Sequence, residues 1–147
     1  MAQVRQAEAN WSGDLLAGGG SVSASSSGIF SDQAITWRAR TEASEGKTSP
    51  EELLAAAHAS CYSMALSHEL AQAGAAPERV DVSVVVTADK TDSGWTVLSS
   101  AITVRAKVPG ADEALFQEKA NAAKGGCPIS KAISDSVEIT LDATLEG

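Results

Sequence analysis

The longest helical pattern in the chain runs from Ser49 to Ala73. Apolar residues recur there at every third or fourth position, as on one side of an α-helix. The first serine suits the N-cap, Pro50 suits the first helical position, and Glu52 completes an S-x-x-E capping box. Gly74 then marks the C-terminal end. The pattern therefore predicts one long helix, with Cys61 near its middle.

This helix is predicted to turn a stripe of small and apolar residues toward the protein interior. Helical spacings place the members of the stripe in line along one side. The stripe consists of Leu54, Ala57, Cys61, Ala65 and His68, with His58 and Met64 beside it. The Cys61 thiol is therefore expected to face inward.

Three further segments alternate apolar and polar residues with the period of two that is typical of β-strands. They are Arg79–Lys90, Trp95–Val108 and Val137–Leu145. The residues Asp92-Ser93-Gly94 lie between the first two segments and predict a hairpin turn. Val85 is apolar on the otherwise polar side of its strand, which indicates that this side is partly covered as well.

Residues 1–48 are predicted to form β structure divided by glycine-containing turns. Gln33–Thr41 is predicted as a strand in which Arg38 and Arg40 share the polar face. By default, charged side chains at such positions point into solvent.

Two shorter helices are predicted before the last strand. Asp112 suits the N-cap of a helix over Glu113–Lys124, and Gly125-Gly126 is expected to end it. A third helix then opens at Cys127-Pro128. Together the elements indicate an α+β fold with a largely antiparallel sheet, a long central helix that bears a cysteine, and shorter helices. The 147 residues are expected to form a single domain, residues 1–147.

Composition and charge exclude several classes of function. Hydrophobic residues make up 44% of the chain, which is enough for a core, and aromatic residues only 4%, so aliphatic side chains must supply most of it. The net charge of -8 argues against nucleic acids and anionic membrane surfaces as partners. The N-terminus has no apolar signal region, and no run is long enough to span a membrane. The expected location is the cytoplasm, where thiols stay reduced.

The two cysteines are the residues most suited to chemistry. In a reducing compartment such a pair is more often catalytic or metal-binding than a structural disulfide. Cys127 lies at a predicted helix N-terminus, where unpaired N–H groups and the helix dipole lower a thiol pKa from about 8.5, although it could be a plain N-cap. A mid-helix cysteine such as Cys61 is usually a small core residue. It becomes a nucleophile only if a cation, such as an arginine of 33–41 or His58, lowers its pKa.

Two other readings of these residues remain open. His58, Cys61, His68 and Cys127 together offer four zinc ligands, but structural zinc sites normally use tightly spaced ligand pairs, which this chain lacks. The cysteines would also suit a non-enzymatic stress protein that senses oxidants or binds an apolar ligand.

The cysteine segments resemble a known family. SPEELLAAAHASCYSMAL, the later KGGCPIS and the ending EITLDATLE are similar to the OsmC/Ohr family, the osmotically inducible and organic hydroperoxide resistance proteins. The resemblance covers nearly the whole chain and is stronger to the OsmC branch. It implies a thiol peroxidase that reduces organic hydroperoxides without a cofactor, is recycled by a lipoyl-type dithiol, and works as an intertwined homodimer with its site at the subunit interface.

The resemblance also assigns roles to individual residues. It implies that Cys61 is the peroxidatic thiol and Cys127 the resolving thiol. It places the glutamate of the site at Glu51 and the arginine at Arg40, with Arg38 as a rival. In the implied mechanism the arginine holds Cys61 as a thiolate, and the glutamate orients the arginine.

The position of Glu51 raises a geometric question. An uninterrupted helix separates it from Cys61 by about 15 Å along the axis, too far for direct contact. Three explanations remain open: the arginine bridges the two residues, the helix is broken or bent near its start, or the two come from different subunits.

Overall fold

The computed structural model describes residues 1–147 as a mixed α+β protein with two three-stranded sheets and four helices. It divides into two compact units, residues 1–53 and 54–147. The strands are β1 (Glu8–Ser12), β2 (Gly19–Ser23), β3 (Gln33–Ile35), β4 (Arg79–Thr91), β5 (Gly94–Lys107) and β6 (Glu138–Glu146). The helices are α1 (Trp37–Thr41), α2 (Pro50–Gln72), α3 (Glu113–Gly126) and α4 (Pro128–Ile133). None of these helices is long and apolar enough to cross a membrane.

The first unit is built on an antiparallel sheet in the order β1-β2-β3. Strands β1 and β2 approach each other closely at Gly20, where an added Cβ atom would clash with the carbonyl oxygen of Asn10. The turn between β1 and β2 is closed by Asp14, whose carboxylate accepts from the N–H groups of Leu16 and Ala17 at 2.9 Å each. These hydrogen bonds lower the pKa of Asp14. The glycines of this segment therefore permit close strand packing as well as turns.

The predicted strand over Gln33–Thr41 is wrong in its second half. The chain leaves β3 after Ile35 and forms the short helix α1. Thr36 is its N-cap, because its hydroxyl accepts from the N–H of Ala39 at 3.1 Å. Residues two apart on a helix point to different sides, so Arg38 and Arg40 do not share a face as they would on a strand.

The second unit contains the hairpin of β4 and β5, with β6 on the other side of β5. The hairpin turn is where it was predicted, with Gly94 at φ 104. The β5–β6 pair is parallel, so this sheet is less antiparallel than expected. The reason is the connection, because α3 and α4 separate the two strands and allow the chain to cross over before it returns.

The core of the second unit lies between α2, α3 and the inner face of its sheet. The alternating residues of β5 are buried as the pattern predicts, and so are the large side chains of the helices. The fully or almost fully buried members are Tyr62, Leu66, Leu70, Ile102, Val104, Ala106, Val108, Phe116, Ala120 and Ala123. Val85, on the other side of β4, is 61% exposed, so residues 54–147 do not cover that side as was expected.

Helix α2 begins and ends close to the predicted positions, but the face that it turns toward the core is not the predicted one. The N-cap is confirmed by a 3.1 Å hydrogen bond from the N–H of Glu52 to Ser49 Oγ. The buried residues are His58, Tyr62, Leu66 and Leu70, whereas His68 is exposed and Cys61 is half-buried. Large apolar side chains gain more free energy from burial than alanines do, so they define the inner face.

The two glycines before Cys127 do not end α3. The helix continues through Gly126 and stops at Cys127, whose φ and ψ are -58° and 122°. The residue after it is Pro128, whose ring disfavours helical backbone at the preceding position. Proline therefore ends one helix and begins the next, and Cys127 lies at the junction.

Candidate redox-active thiol site

The second unit brings Cys61 and Cys127 together. Cys61 comes from α2 and Cys127 from the junction of α3 and α4, and both are free thiols. Cys61 is half-buried, and Cys127 is completely buried in the core cluster against which Cys61 packs. Each thiol contributes to the pKa shift of the other. The structure thus holds an interacting, reduced dithiol.

Cys127 is the more acidic of the two thiols. It is fixed by backbone hydrogen bonds on both sides, from its N–H to the Ala123 carbonyl at 2.9 Å and from the Lys131 N–H to its own carbonyl at 3.0 Å. Its thiol forms no capping hydrogen bond of ordinary geometry. Burial by itself would raise the pKa of Cys127. The pKa is nevertheless lowered, because nearby groups that favour the thiolate outweigh burial, namely the Ser130 N–H, the Cys61 thiol and the Ser130 hydroxyl.

The surroundings of Cys61 have the opposite effect. Burial and the neighbouring Cys127 thiol raise the pKa of Cys61, and a weaker contribution from the Ile129 N–H does not compensate. Within residues 54–147, the surroundings therefore favour a thiolate at Cys127 over one at Cys61. A cation from elsewhere is required if Cys61 is to become the thiolate.

Cys61 also borders a cavity of about 360 Å³. Most of its lining is apolar, and the titratable side chains besides the thiol are His68 and Glu69. The lining residues are Cys61, Met64, Ala65, His68, Glu69, Ala123, Gly126 and Pro128. A small molecule with an apolar body can reach the half-buried thiol through such a space.

A buried histidine of α2 connects β5 to α4. His58 Nδ1 is 2.7 Å from Ser100 Oγ, and His58 Nε2 is 2.8 Å from Ser130 Oγ. All three side chains are buried, and burial lowers the pKa of His58, so the ring is neutral at pH 7. The sequence pattern identified His58 only as a neighbour of the cysteine stripe, and the two serines were missed because they lie far apart in the chain.

These contacts do not assemble the four zinc ligands considered above. Both ring nitrogens of His58 face serine hydroxyls, and His68 is exposed on another side of α2. No group of three or more His, Cys, Asp or Glu side chains is arranged to hold a metal ion.

The first unit pairs Arg40 with Glu51. The Arg40 guanidinium donates to the Glu51 carboxylate, with Nη2–Oε1 at 2.7 Å, Nε–Oε1 at 3.0 Å and Nε–Oε2 at 3.2 Å. It also lies over the Trp37 ring, 5.6 Å from the centroid. Arg38 instead pairs with Glu42 at 2.9 Å, and its side chain is 68% exposed. Glu51 therefore orients Arg40 and not Arg38.

A second cavity, of about 210 Å³, adjoins this ion pair. Aromatic and aliphatic side chains form most of its wall, and Arg40 is its only charged member. The lining residues are Trp11, Leu15, Ile35, Thr36, Trp37, Arg40, Thr48 and Pro50. The four residues that the resemblance identifies thus occur as two pairs, a dithiol in one unit and an ion pair in the other.

Comparisons with known proteins found related sequences. A family model described as OsmC-like protein matches residues 43–142. Peroxiredoxin OsmC of Escherichia coli is 40% identical over 142 residues, which is 97% of this chain and 96% of that protein. Organic hydroperoxide resistance protein OhrA of Bacillus subtilis is 33% identical and covers 76% of this chain and 77% of its own length.

A solved structure shows the same fold. The crystal structure of the organic hydroperoxide resistance protein OhrB of Bacillus subtilis superimposes with a TM-score of 0.69 at 26% identity, over 94% of this chain and 97% of that one. The family match and the match to Peroxiredoxin OsmC each extend over most of the chain, including both cysteine segments. The protein therefore belongs to the OsmC-like family.

Proposed function

We propose that the protein is a thiol peroxidase that reduces organic hydroperoxides to alcohols. The observation that carries the proposal is the interacting, reduced pair of Cys61 and Cys127, in which one thiol borders an apolar cavity and the other is buried behind it. The names of the relatives, a peroxiredoxin and an organic hydroperoxide resistance protein, support the same chemistry.

In the first step, the Cys61 thiolate attacks the distal oxygen of the hydroperoxide. The O–O bond breaks, Cys61 becomes a sulfenic acid, and the alkoxide leaves and takes up a proton to become the alcohol. Because burial and Cys127 raise the pKa of Cys61, the step needs a cation. We assign this role to Arg40, oriented by Glu51, which also stabilises the charge on the leaving oxygen.

In the second step, the Cys127 thiolate attacks the sulfur of the Cys61 sulfenic acid. A Cys61–Cys127 disulfide forms, and the hydroxide that leaves is protonated to water. A dithiol of the lipoyl type then reduces the disulfide by exchange and returns both thiols to the starting state.

The cavity beside Cys61 favours a particular class of peroxide. Its lining is mostly apolar and its volume is about 360 Å³, which suits alkyl or fatty-acid hydroperoxides better than hydrogen peroxide. We therefore expect a higher kcat/KM for an alkyl hydroperoxide than for hydrogen peroxide.

The proposed active form is an intertwined homodimer in the cytoplasm, with the site at the subunit interface. Large apolar side chains that remain exposed, among them Val85, Leu15 and Leu16, support association. Such a dimer has two sources for the arginine and glutamate of each site, the same subunit and its partner.

Cysteine variants test the proposed function. With an alkyl hydroperoxide and a lipoyl dithiol, Cys61→Ser is expected to abolish peroxide consumption. Cys127→Ser is expected to retain sulfenic acid formation, trapped with dimedone, but to lose turnover. Peroxide consumption that survives Cys61→Ser would refute the proposed peroxidase activity. Stoichiometric oxidation of wild-type protein without turnover would favour a redox sensor instead.

A further inference from the structure

His58 is a buried side chain that connects three elements of the second unit. It lies on α2, its Nδ1 is 2.7 Å from Ser100 Oγ on β5, and its Nε2 is 2.8 Å from Ser130 Oγ on α4. The ring has no exposed surface, and both serines are buried as well. A buried polar group that loses its partner is left unsatisfied, so both contacts resist rearrangement. The proposed chemistry of the two thiols leaves this histidine without a role.

The two segments that His58 and Ser130 join also carry the cysteines, at matching spacings. On α2, Cys61 follows His58 by three residues, and in the other segment Cys127 precedes Ser130 by three residues. Cys127 is the N-cap of α4, and its carbonyl accepts from the Lys131 N–H at 3.0 Å. Residues three apart on a helix, including an N-cap and the third helical residue, lie close together. The His58–Ser130 contact is therefore one helical turn from each cysteine.

The cavity lining shows independently that the two cysteine segments meet. Cys61 lines one cavity together with Gly126 and Pro128, which are the residues on either side of Cys127. Cys61 also packs against the buried cluster to which Cys127 belongs.

Helix α4 depends on tertiary contacts for its position. It has only six residues, and an isolated helix of this length is not stable in water. Its one buried residue is Ser130, whose hydroxyl contacts His58. This contact therefore fixes the first turn of α4, which begins at Cys127.

We propose that His58 is a positioning residue for the dithiol: through Ser130 it holds the first turn of α4 against α2, and it thereby keeps Cys127 placed for bonding to Cys61. This role rests on the proposed function, in which the Cys127 thiolate attacks the Cys61 sulfenic acid. An S–S bond forms there, the S–O bond breaks, and the hydroxide leaves as water after protonation. Disulfides have strict geometric requirements, so an α4 that is already ordered raises the effective concentration of one thiol toward the other.

The test measures how readily the pair forms its disulfide, without peroxide. Reduced protein is equilibrated with mixtures of reduced and oxidised glutathione at neutral pH, and the Cys61–Cys127 disulfide is quantified by mass spectrometry after alkylation. The Cys61 thiolate attacks oxidised glutathione, and the Cys127 thiolate then attacks the mixed disulfide. Two molecules of reduced glutathione are released with the two electrons and two protons of the dithiol. The equilibrium constant reports the effective concentration of the thiols.

Two amide variants separate the two sides of the imidazole. His58→Gln places an amide near the position of Nε2 and keeps a partner for Ser130, whereas His58→Asn reaches only the position of Nδ1 and keeps a partner for Ser100. We expect His58→Gln to retain nearly the wild-type equilibrium constant. His58→Asn and Ser130→Ala should each lower it roughly fivefold, since a net hydrogen bond is worth a factor of about 2 to 10. Combining these two changes should add nothing, because both remove the same contact.

Leu70→Ala is the control for a general loss of stability. Leu70 is fully buried and lies about 18 Å along α2 from His58, so its truncation should destabilise the protein but leave the equilibrium constant unchanged. An equal decrease in Leu70→Ala would overturn the proposal. So would equal constants for His58→Gln and His58→Asn, or a further fivefold decrease in the double variant.

Ser130→Ala decides the question alone if the His58 variants do not fold. It removes one hydroxyl and places a strong helix former in α4. An unchanged equilibrium constant in this variant, or a wild-type protein that forms no Cys61–Cys127 disulfide, would overturn the proposal. Peroxide consumption by Cys61→Ser would instead refute the proposed function and leave the wild-type glutathione equilibrium unaffected, so the two failures are distinguishable.

Discussion

Replacing Arg40 by Met removes the cation that faces Glu51 while keeping a long side chain. The pair is joined by three N–H···O contacts, and the Arg40 and Glu51 side chains are 27% and 13% exposed. Removing one partner of a buried pair costs about 3–5 kcal/mol, whereas an exposed pair is worth about 0–1 kcal/mol. This pair lies between those cases, so we expect Arg40→Met to lower the free energy of unfolding by roughly 2 kcal/mol.

Arg38→Met is the matched control, because it removes the same charge two residues away. Its salt bridge with Glu42 is exposed, so the expected loss is below about 1 kcal/mol. Urea unfolding measures the loss of unfolding free energy in both variants, provided that the slopes of their transitions equal that of the wild type. Equal losses for the two variants would refute the conclusion that Glu51 specifically holds Arg40.

The same two variants test the proposed role of Arg40 at the thiol. An opposite charge within a few ångströms lowers an acidic pKa by about 1–3 units. In a Cys127→Ser background, Arg40→Met is therefore expected to raise the Cys61 pKa by about that amount, and Arg38→Met to leave it unchanged. Iodoacetamide alkylation against pH gives both values. An unchanged Cys61 pKa in Arg40→Met would mean that another group supplies the charge.

Two further predictions concern stability. Burial lowers the pKa of His58 in the folded protein. As pH falls through about 6.5, the imidazole of the unfolded chain therefore takes up a proton before that of the folded chain does. The stability that the neutral ring contributes is thus present above about pH 6.5 and is lost as pH falls. Urea unfolding across this pH range should show a decline in the free energy of unfolding, and the decline should be smaller in His58→Gln. An equal decline in the variant would contradict the assignment of this pH dependence to His58. Gly20→Ala should destabilise the protein by more than about 1 kcal/mol, because the added Cβ would clash with the Asn10 carbonyl. Gly125→Ala should stabilise the protein by about 0.5–1 kcal/mol, because Gly125 lies in α3 and its Cβ would meet nothing. Thermal unfolding of the two variants checks the opposite signs, and shifts of the same sign would contradict the packing described at Gly20.

Much of the secondary structure follows from local rules. The caps of α2 and α3, the hairpin at Gly94 and the alternating strands are all near their predicted positions, because they depend on residues within a few places along the chain. The local rules failed at Thr36, where alternation suggested a strand but a side-chain cap favoured a helix. They failed again at Gly125 and Gly126, where Pro128 rather than glycine ended α3.

Sequence alone therefore determined that this chain has two cysteine-bearing segments, one within a long helix and one at a helix N-terminus beside proline. It also determined most of the strands and the resemblance that singles out Cys61, Cys127, Arg40 and Glu51. Tertiary structure decided which side of α2 is buried, which arginine meets Glu51, and that His58 joins Ser100 to Ser130. These outcomes depend on contacts between residues far apart in the chain, and no periodicity within a single segment records them.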